Sequence, residues 1–269
     1  VSNEANFEIL SRAKKENASI CIILITKLPI KDYAEELKHK EELLLDHIIS
    51  INPVNNWDVE DLRVILQKYQ KKDIFGIEKY LAPGTKIVEK TISGSVDREQ
   101  LKSYVQAFTK DYNFGHNASR HASGVAEELI MNTVYDAPLA AGIAGFENYG
   151  PTDIIELADE HKGKLRIGFD GRMLAVSTED PFGCLKRDTF FKYMKKLSMR
   201  RDSEDLIDTK KGGAGLGFFK ILYSSHALIC NVKDKNKTEV ISLIFLKQPL
   251  KDFAIMPRSI HYFFDKSAG

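Results

Sequence analysis

At 269 residues the chain has room for one large domain or two modest ones, with a real core. A hydrophobic share of 43%, a charged share of 29% and a net charge of +1 describe an ordinary globular protein, without the global field that draws nucleic acid or an anionic membrane. No apolar run approaches the roughly 20 residues that span a bilayer, the opening residues lack a signal-peptide pattern, and three scattered cysteines without CxxC spacing argue against a disulfide framework or zinc site. A reducing cytoplasm is the expected setting.

Residues 4–17 place Phe7, Leu10 and Ala13 at helical spacing. Residues 21–25 form a continuous apolar, mostly β-branched run, the pattern of a strand covered on both faces. A charged amphipathic helix is expected over 33–45, a second buried strand over 46–51, and a helix over 59–69 with Leu62, Ile65 and Leu66 on one side. This alternation implies a parallel sheet. It also resembles the second half of a receiver domain of the response-regulator type. Thr26 closes the first strand, where that family carries its switch Ser/Thr, and Asn52-Pro53 closes the second, where the family has Lys-Pro. With Asn at 52, and without the strands that bear the acidic pair and the phosphorylatable Asp, the resemblance implies a partial receiver that does not take phosphate. A small α/β docking module is the alternative.

A short connector, 73–84, ends in Pro83-Gly84, and a domain boundary is expected there: 1–84 as the receiver-like module, 85–269 as a second domain. Residues 86–92 alternate as a strand with one wet face, and 97–112 form a helix with Leu101, Tyr104, Val105 and Phe108 inward. The next helix, 118–135, carries Glu128, Asn132 and Asp136 at i, i+4 and i+8. Each step of four turns about 40° around a helix, so the three share one polar stripe. A carboxylate and a carboxamide one turn apart suit an Mg²⁺–nucleotide site, and equally a solvated helix face.

Residues 165–169 and 173–177 read as a hairpin across Asp170-Gly171. Its second strand delivers Thr178-Glu179-Asp180-Pro181-Phe182-Gly183. Residues 184–211 are rich in Lys and Arg. Lys211-Gly212-Gly213-Ala214-Gly215-Leu216-Gly217 then runs into an apolar helix that continues to residue 227. Such a cluster lets backbone N–H groups turn toward an anion, but no Gly-Lys-Ser/Thr follows it, so it is not a Walker loop. Strands are expected at 228–232 and 239–246. The tail beyond holds Phe253, Ile255, Met256, Tyr262, Phe263 and Phe264, too apolar to stay free, so it should dock on the domain or on a partner.

From about residue 86 to 246, these motifs and their order resemble the GHKL ATP-binding superfamily. Glu128-x-x-x-Asn132 is similar to its N box, Gly213-x-Gly215-Leu216-Gly217 to its second glycine box, and Lys237-Thr238-Glu239-Val240 to its closing strand. The acidic box is represented by Asp180 and Gly183, with Phe182 in the first glycine position. Glu179 or Thr178 serves instead if the strand register differs.

The resemblance implies an α/β sandwich with a mixed sheet and helices on one face. It implies ATP and Mg²⁺ as cofactors, Glu128 as general base and Asn132 as metal ligand. Asp136, Asp180, Gly183, Lys211, Gly213, Gly215, Leu216, Gly217 and Thr238 would line the nucleotide, and 184–211 would be a basic lid over its phosphates. The layout is closest to the anti-sigma-factor serine kinases, since no room precedes the N box for a sensor kinase's dimerising hairpin. The functional expectation is an ATP-dependent protein kinase-like regulator in signal transduction. It would phosphorylate or sequester a protein partner (a regulator, an anti-sigma-type antagonist or a receiver), with a homodimer possible and no nucleic acid or membrane involved. The alternatives are a non-catalytic nucleotide-gated module and a histidine kinase core.

Overall fold

The computed structural model describes residues 4–29, 45–51, 56–150, 152–190, 216–245 and 256–266. Helix α1 (Glu4–Glu16) leads into strands β1 (Ile23–Thr26) and β2 (His47–Ser50), followed by α2 (Trp57–Lys71). Then come β3 (Ile87–Ile92), α3 (Arg98–Asp111) and α4 (His116–Met131). The α4 axis continues through a π-helical turn (Asn132–Asp136) into a short α5 (Ala137–Ala140). The hairpin β4 (Gly163–Phe169) and β5 (Met173–Asp180) precedes α6 (Leu216–Tyr223), and β6 (Ala227–Lys233), β7 (Lys237–Phe245) and β8 (Ser259–Asp265) complete the described chain. The expected helix at 33–45 and the Asn52-Pro53 step lie almost wholly outside the described residues.

Among the described residues, eight strands join one mixed sheet in the order β1-β2-β8-β6-β7-β5-β4-β3. The expected parallel pair is present, with Ile23 opposite His47 and Thr26 opposite Ser50. It does not form a sheet of its own. Strand β8, from the apolar tail, pairs antiparallel with β2 and parallel with β6, so the sheet runs unbroken across the boundary expected near residue 84.

Side-chain alternation sends Leu174, Val176, Leu228 and Ile244 to one face, where α3, α4 and α6 pack on them. Met173, Ala175, Ile229, Leu243 and Phe263 go to the other face, against Trp57, Val64 and Ile65 of α2 and Ile77 and Tyr80 of the connector. Helices α3, α4 and α6 thus share one face, as expected of the second domain, and the other face of the central strands is covered by α2 and the connector from the first 84 residues. The uniformly buried patterns of β5 and β7 follow from this, whereas β3, at the edge, keeps its middle residues wet.

The second face also encloses charge. Lys68, 1% exposed, donates to Asn231 Oδ1 at 2.9 Å, and Asn231 Nδ2 donates to Glu239 Oε2 at 2.9 Å, which also accepts from the Gly76 amide at 2.8 Å. Burial pushes the Lys68 ammonium down, opposed by Glu239. His261 meets Asp61 at 2.9 Å and its cross-strand neighbour His47 meets the Tyr69 hydroxyl at 2.9 Å. Among the described residues no helix is long and apolar enough to cross a membrane, and Cys21, Cys184 and Cys230 are free thiols.

Candidate functional site

Where α4 gives way to the π turn, the helix widens and one extra residue enters the turn. The Leu129 carbonyl there accepts two threonine hydroxyls, from Thr133 at 3.0 Å and from Thr178 of β5 at 3.3 Å. This ties the end of β5 to the helix and sets Asn132 and Asp136 opposite Asp180. The result is a cavity of about 300 Å³ lined by Asn132, Asp136, Thr178, Asp180, Phe218 and Thr238, with Cys184, Leu185 and Lys186 at one side. It adjoins a wider cleft of about 950 Å³ that reaches Lys14, Lys235 and Tyr262.

Strand register chooses among the three polar residues at the end of β5. Thr178 and Asp180 face the cavity, while Glu179 turns to the opposite face and pairs with Lys237 at 3.2 Å. Asp180 lies opposite Thr238 across the β5–β7 ladder and accepts from the Phe182 amide at 3.0 Å. Burial raises its pKa to about 6, against the lowering pull of the Phe182 and Gly183 amides and the Thr238 hydroxyl. Asp136 keeps surface accessible at the cavity mouth, yet the protein crowding its carboxyl raises its pKa to about 6 as well, with a further contribution from Glu128. Asn132 Nδ2 is buried and meets no hydrogen-bond partner among the described residues. A buried amide donor of that kind is costly unless something completes it.

The glycine box is described only from Leu216, which opens α6; Lys211, Gly213 and Gly215 lie outside the described residues, as does 191–215 of the basic segment. Gly217 is buried against α4: a Cβ there would lie 2.8 Å from Glu128 Oε2 and 3.4 Å from Asn132 Oδ1. Glu128 itself is held by Lys220, with Nζ 2.5 Å from Oε1. Gly183 has a structural task of its own. Its φ is +63° and a Cβ would lie 2.0 Å from the Lys233 carbonyl oxygen, so glycine is needed for the chain to pass under the β6–β7 turn. Among the described residues no group of three His, Cys, Asp or Glu side chains could hold a metal ion.

Residues that the sequence placed at 132, 136, 178, 180 and 238 thus line one cavity, with Glu128 and Gly217 beside it. Sequence reasoning missed the Lys220–Glu128 pair and the wall from Cys184 to Lys186. Lys220 stands three residues after Gly217, but its facing toward α4 depends on how α6 docks, which no local pattern encodes.

No family model matches the chain, and no curated protein matches it. Among solved structures it is similar to a chain of the SiaB–SiaC complex from Pseudomonas aeruginosa, at 15% identity and a TM-score of 0.36, over 70% of this chain and 99% of that one.

Proposed function

We propose that this cavity binds the base end of ATP, and that the protein is an ATP- and Mg²⁺-dependent kinase-like regulator acting on a protein partner. The observation that carries the reading is the convergence of Asn132, Asp136, Asp180 and Thr238, from three separate elements, on one cavity of about 300 Å³. That volume is at the small end for a ligand pocket, fitting a base and part of a sugar while the phosphates extend toward α6.

The residues fit such a ligand. An ionised Asp180 accepts only, as an exocyclic amine requires, and Thr238 and the Phe182 amide hold it in place. The Asn132 amide oxygen is the atom it would offer to a metal, while its nitrogen meets no partner among the described residues. Magnesium commonly takes one or two protein oxygens and completes its shell with phosphate and water. When bound, the ion would neutralise charge on the transferred phosphoryl group. Glu128, one turn before Asn132, is the candidate base for the acceptor hydroxyl.

A second reading, a nucleotide-binding module without catalysis, is favoured by one observation: Glu128 is engaged by Lys220 rather than presented to the cavity. Calorimetric titration with ATP, with and without Mg²⁺, tests the shared premise, and Asn132→Ala tests the metal role. Loss of most of the Mg²⁺-dependent affinity in the mutant is expected. An Asn132→Ala protein with wild-type Mg²⁺ dependence removes that residue from the site, and a wild type that turns over no ATP with any partner moves the reading to the module.

A further inference from the structure

Glu127 and Glu128 are adjacent on α4 but serve different neighbours. Glu127 is committed to α3, through Arg98 and through Lys102 at 2.9 Å. Glu128 points to α6, where Lys220 is its partner, and it also faces Asp136 and, at longer range, Arg98. The carboxylate is 17% exposed and the lysine 64%. Lys220 lies one turn beyond Gly217, whose backbone packs directly on Glu128 Oε2 and Asn132 Oδ1, and the next turn is anchored to α4 by His121 and Ser224 at 3.3 Å. The ammonium therefore stands on a flexible stem beside the candidate base, one turn beyond the last glycine of the box.

We propose that Lys220 is a positioning residue that exchanges partners: it holds Glu128 while no triphosphate is present, and transfers its ammonium to the terminal phosphate when one is, releasing the carboxylate toward the acceptor. This rests on the nucleotide reading above. The exchange is cheap in the forward direction, because an ion pair with an exposed lysine contributes little. It is favoured because a terminal phosphate concentrates more charge and more acceptor oxygens than one carboxylate. The same geometry explains how a catalytic carboxylate can be occupied before its ligand arrives. The exchange would couple the availability of Glu128 to the presence of a third phosphate.

The test compares ATP with ADP, each with Mg²⁺, by calorimetry on wild type, Lys220→Met and Lys220→Arg, with melting curves to confirm folding. Wild type should prefer ATP. Lys220→Met should lose about tenfold in ATP affinity while ADP changes by less than about twofold, the size expected for one lost charge-assisted contact, and Lys220→Arg should restore most of the preference. Glu128→Gln should bind ATP a few times more tightly than wild type, because Lys220 no longer leaves a charged partner, and this gain should vanish in Glu128→Gln/Lys220→Met. An ATP-to-ADP preference that Lys220→Met leaves unchanged, or an equal loss for both nucleotides, overturns the exchange while leaving the nucleotide site standing. A wild type that binds neither nucleotide overturns the site and the exchange with it.

Discussion

Under the proposed nucleotide site, Asp180 should link protonation to folding and to binding with opposite signs. Its carboxyl titrates near 6 in the folded protein against an ordinary value of 3.8, so the folded chain holds that proton more tightly than the unfolded one. Its contribution therefore favours the fold below about pH 4 and is lost as pH rises through about 6, a difference of about 3 kcal/mol. Asp136 shifts in the same direction, but its accessible surface makes the corresponding stability effect smaller. Recognition of an amine needs the ionised form, so ATP affinity should move the other way, falling about fourfold between pH 7.5 and pH 5.5 as a group titrating near 6 takes its proton. Asp180→Asn should flatten the stability profile of the nucleotide-free protein between pH 4 and 6, remove the pH dependence of binding, and lower ATP affinity at pH 7.5 at least tenfold. Calorimetry and thermal melts at the two pH values check both halves. An affinity independent of pH would mean that Asp180 does not contact the ligand.

Among the elements, the pair α4 and α6 sets the proposed site, and the two were legible to different degrees. The polar stripe Glu128–Asn132–Asp136 stood out because helical spacing alone puts the three residues together. The π turn that reorients the last two did not, since the widened turn is supported by the Thr178 hydroxyl, reaching Leu129 from a strand 49 residues away. The acidic box was readable only to within three residues, and pleating of β5 separated Asp180 from Glu179. The structural need for glycine at 183, the close passage of the β6–β7 turn above it, was not readable from local pattern.

For α6 the prediction is a dissociation of stability from binding in Gly217→Ala. The new Cβ would crowd Glu128 Oε2 at 2.8 Å, a side-chain end that can move aside, while alanine improves helix propensity by about 1 kcal/mol. The melting temperature should change by only a few degrees, yet ATP affinity should fall about tenfold, about 1.4 kcal/mol, because Glu128 and Asn132 are displaced together. Gly124→Ala, on α4 with open space around the added carbon, should stabilise the fold with binding unchanged. If Gly217→Ala binds as wild type does, the α6 backbone does not define the site.

At the scale of the whole molecule, the parallel pair β1–β2 was legible because apolar, β-branched runs separated by a helical pattern have few other readings, although β1 lies at the sheet edge with Ile25 exposed rather than covered on both faces. The position of that pair was not legible, because it depends on β8, whose partners His47 and Ile229 lie more than 30 residues away from it in sequence. The apolar tail announced that it would dock; only the sheet shows that it docks as the strand between the two halves. One consequence is that residues 85–269, read from sequence as a self-contained domain, should not fold by themselves. Without the first 84 residues, Ile229, Leu243 and Phe263 lose the cover of Trp57, Val64 and Ile77. Glu239, fully buried, loses the Gly76 amide, and the Lys68 ammonium near it is gone as well. Removing one side of a buried charged network costs about 3–5 kcal/mol even before the exposed apolar face is counted, a large part of the stability of an ordinary domain. The 85–269 fragment should therefore aggregate or give a broad, uncooperative melt. In the full chain, Lys68→Ala should lower stability by a comparable few kcal/mol, and Lys68→Met, which keeps the stem against Tyr80 and Phe263, by less. A fragment that is monomeric and melts as sharply as the full chain would show that the sheet, though continuous, is two folding units.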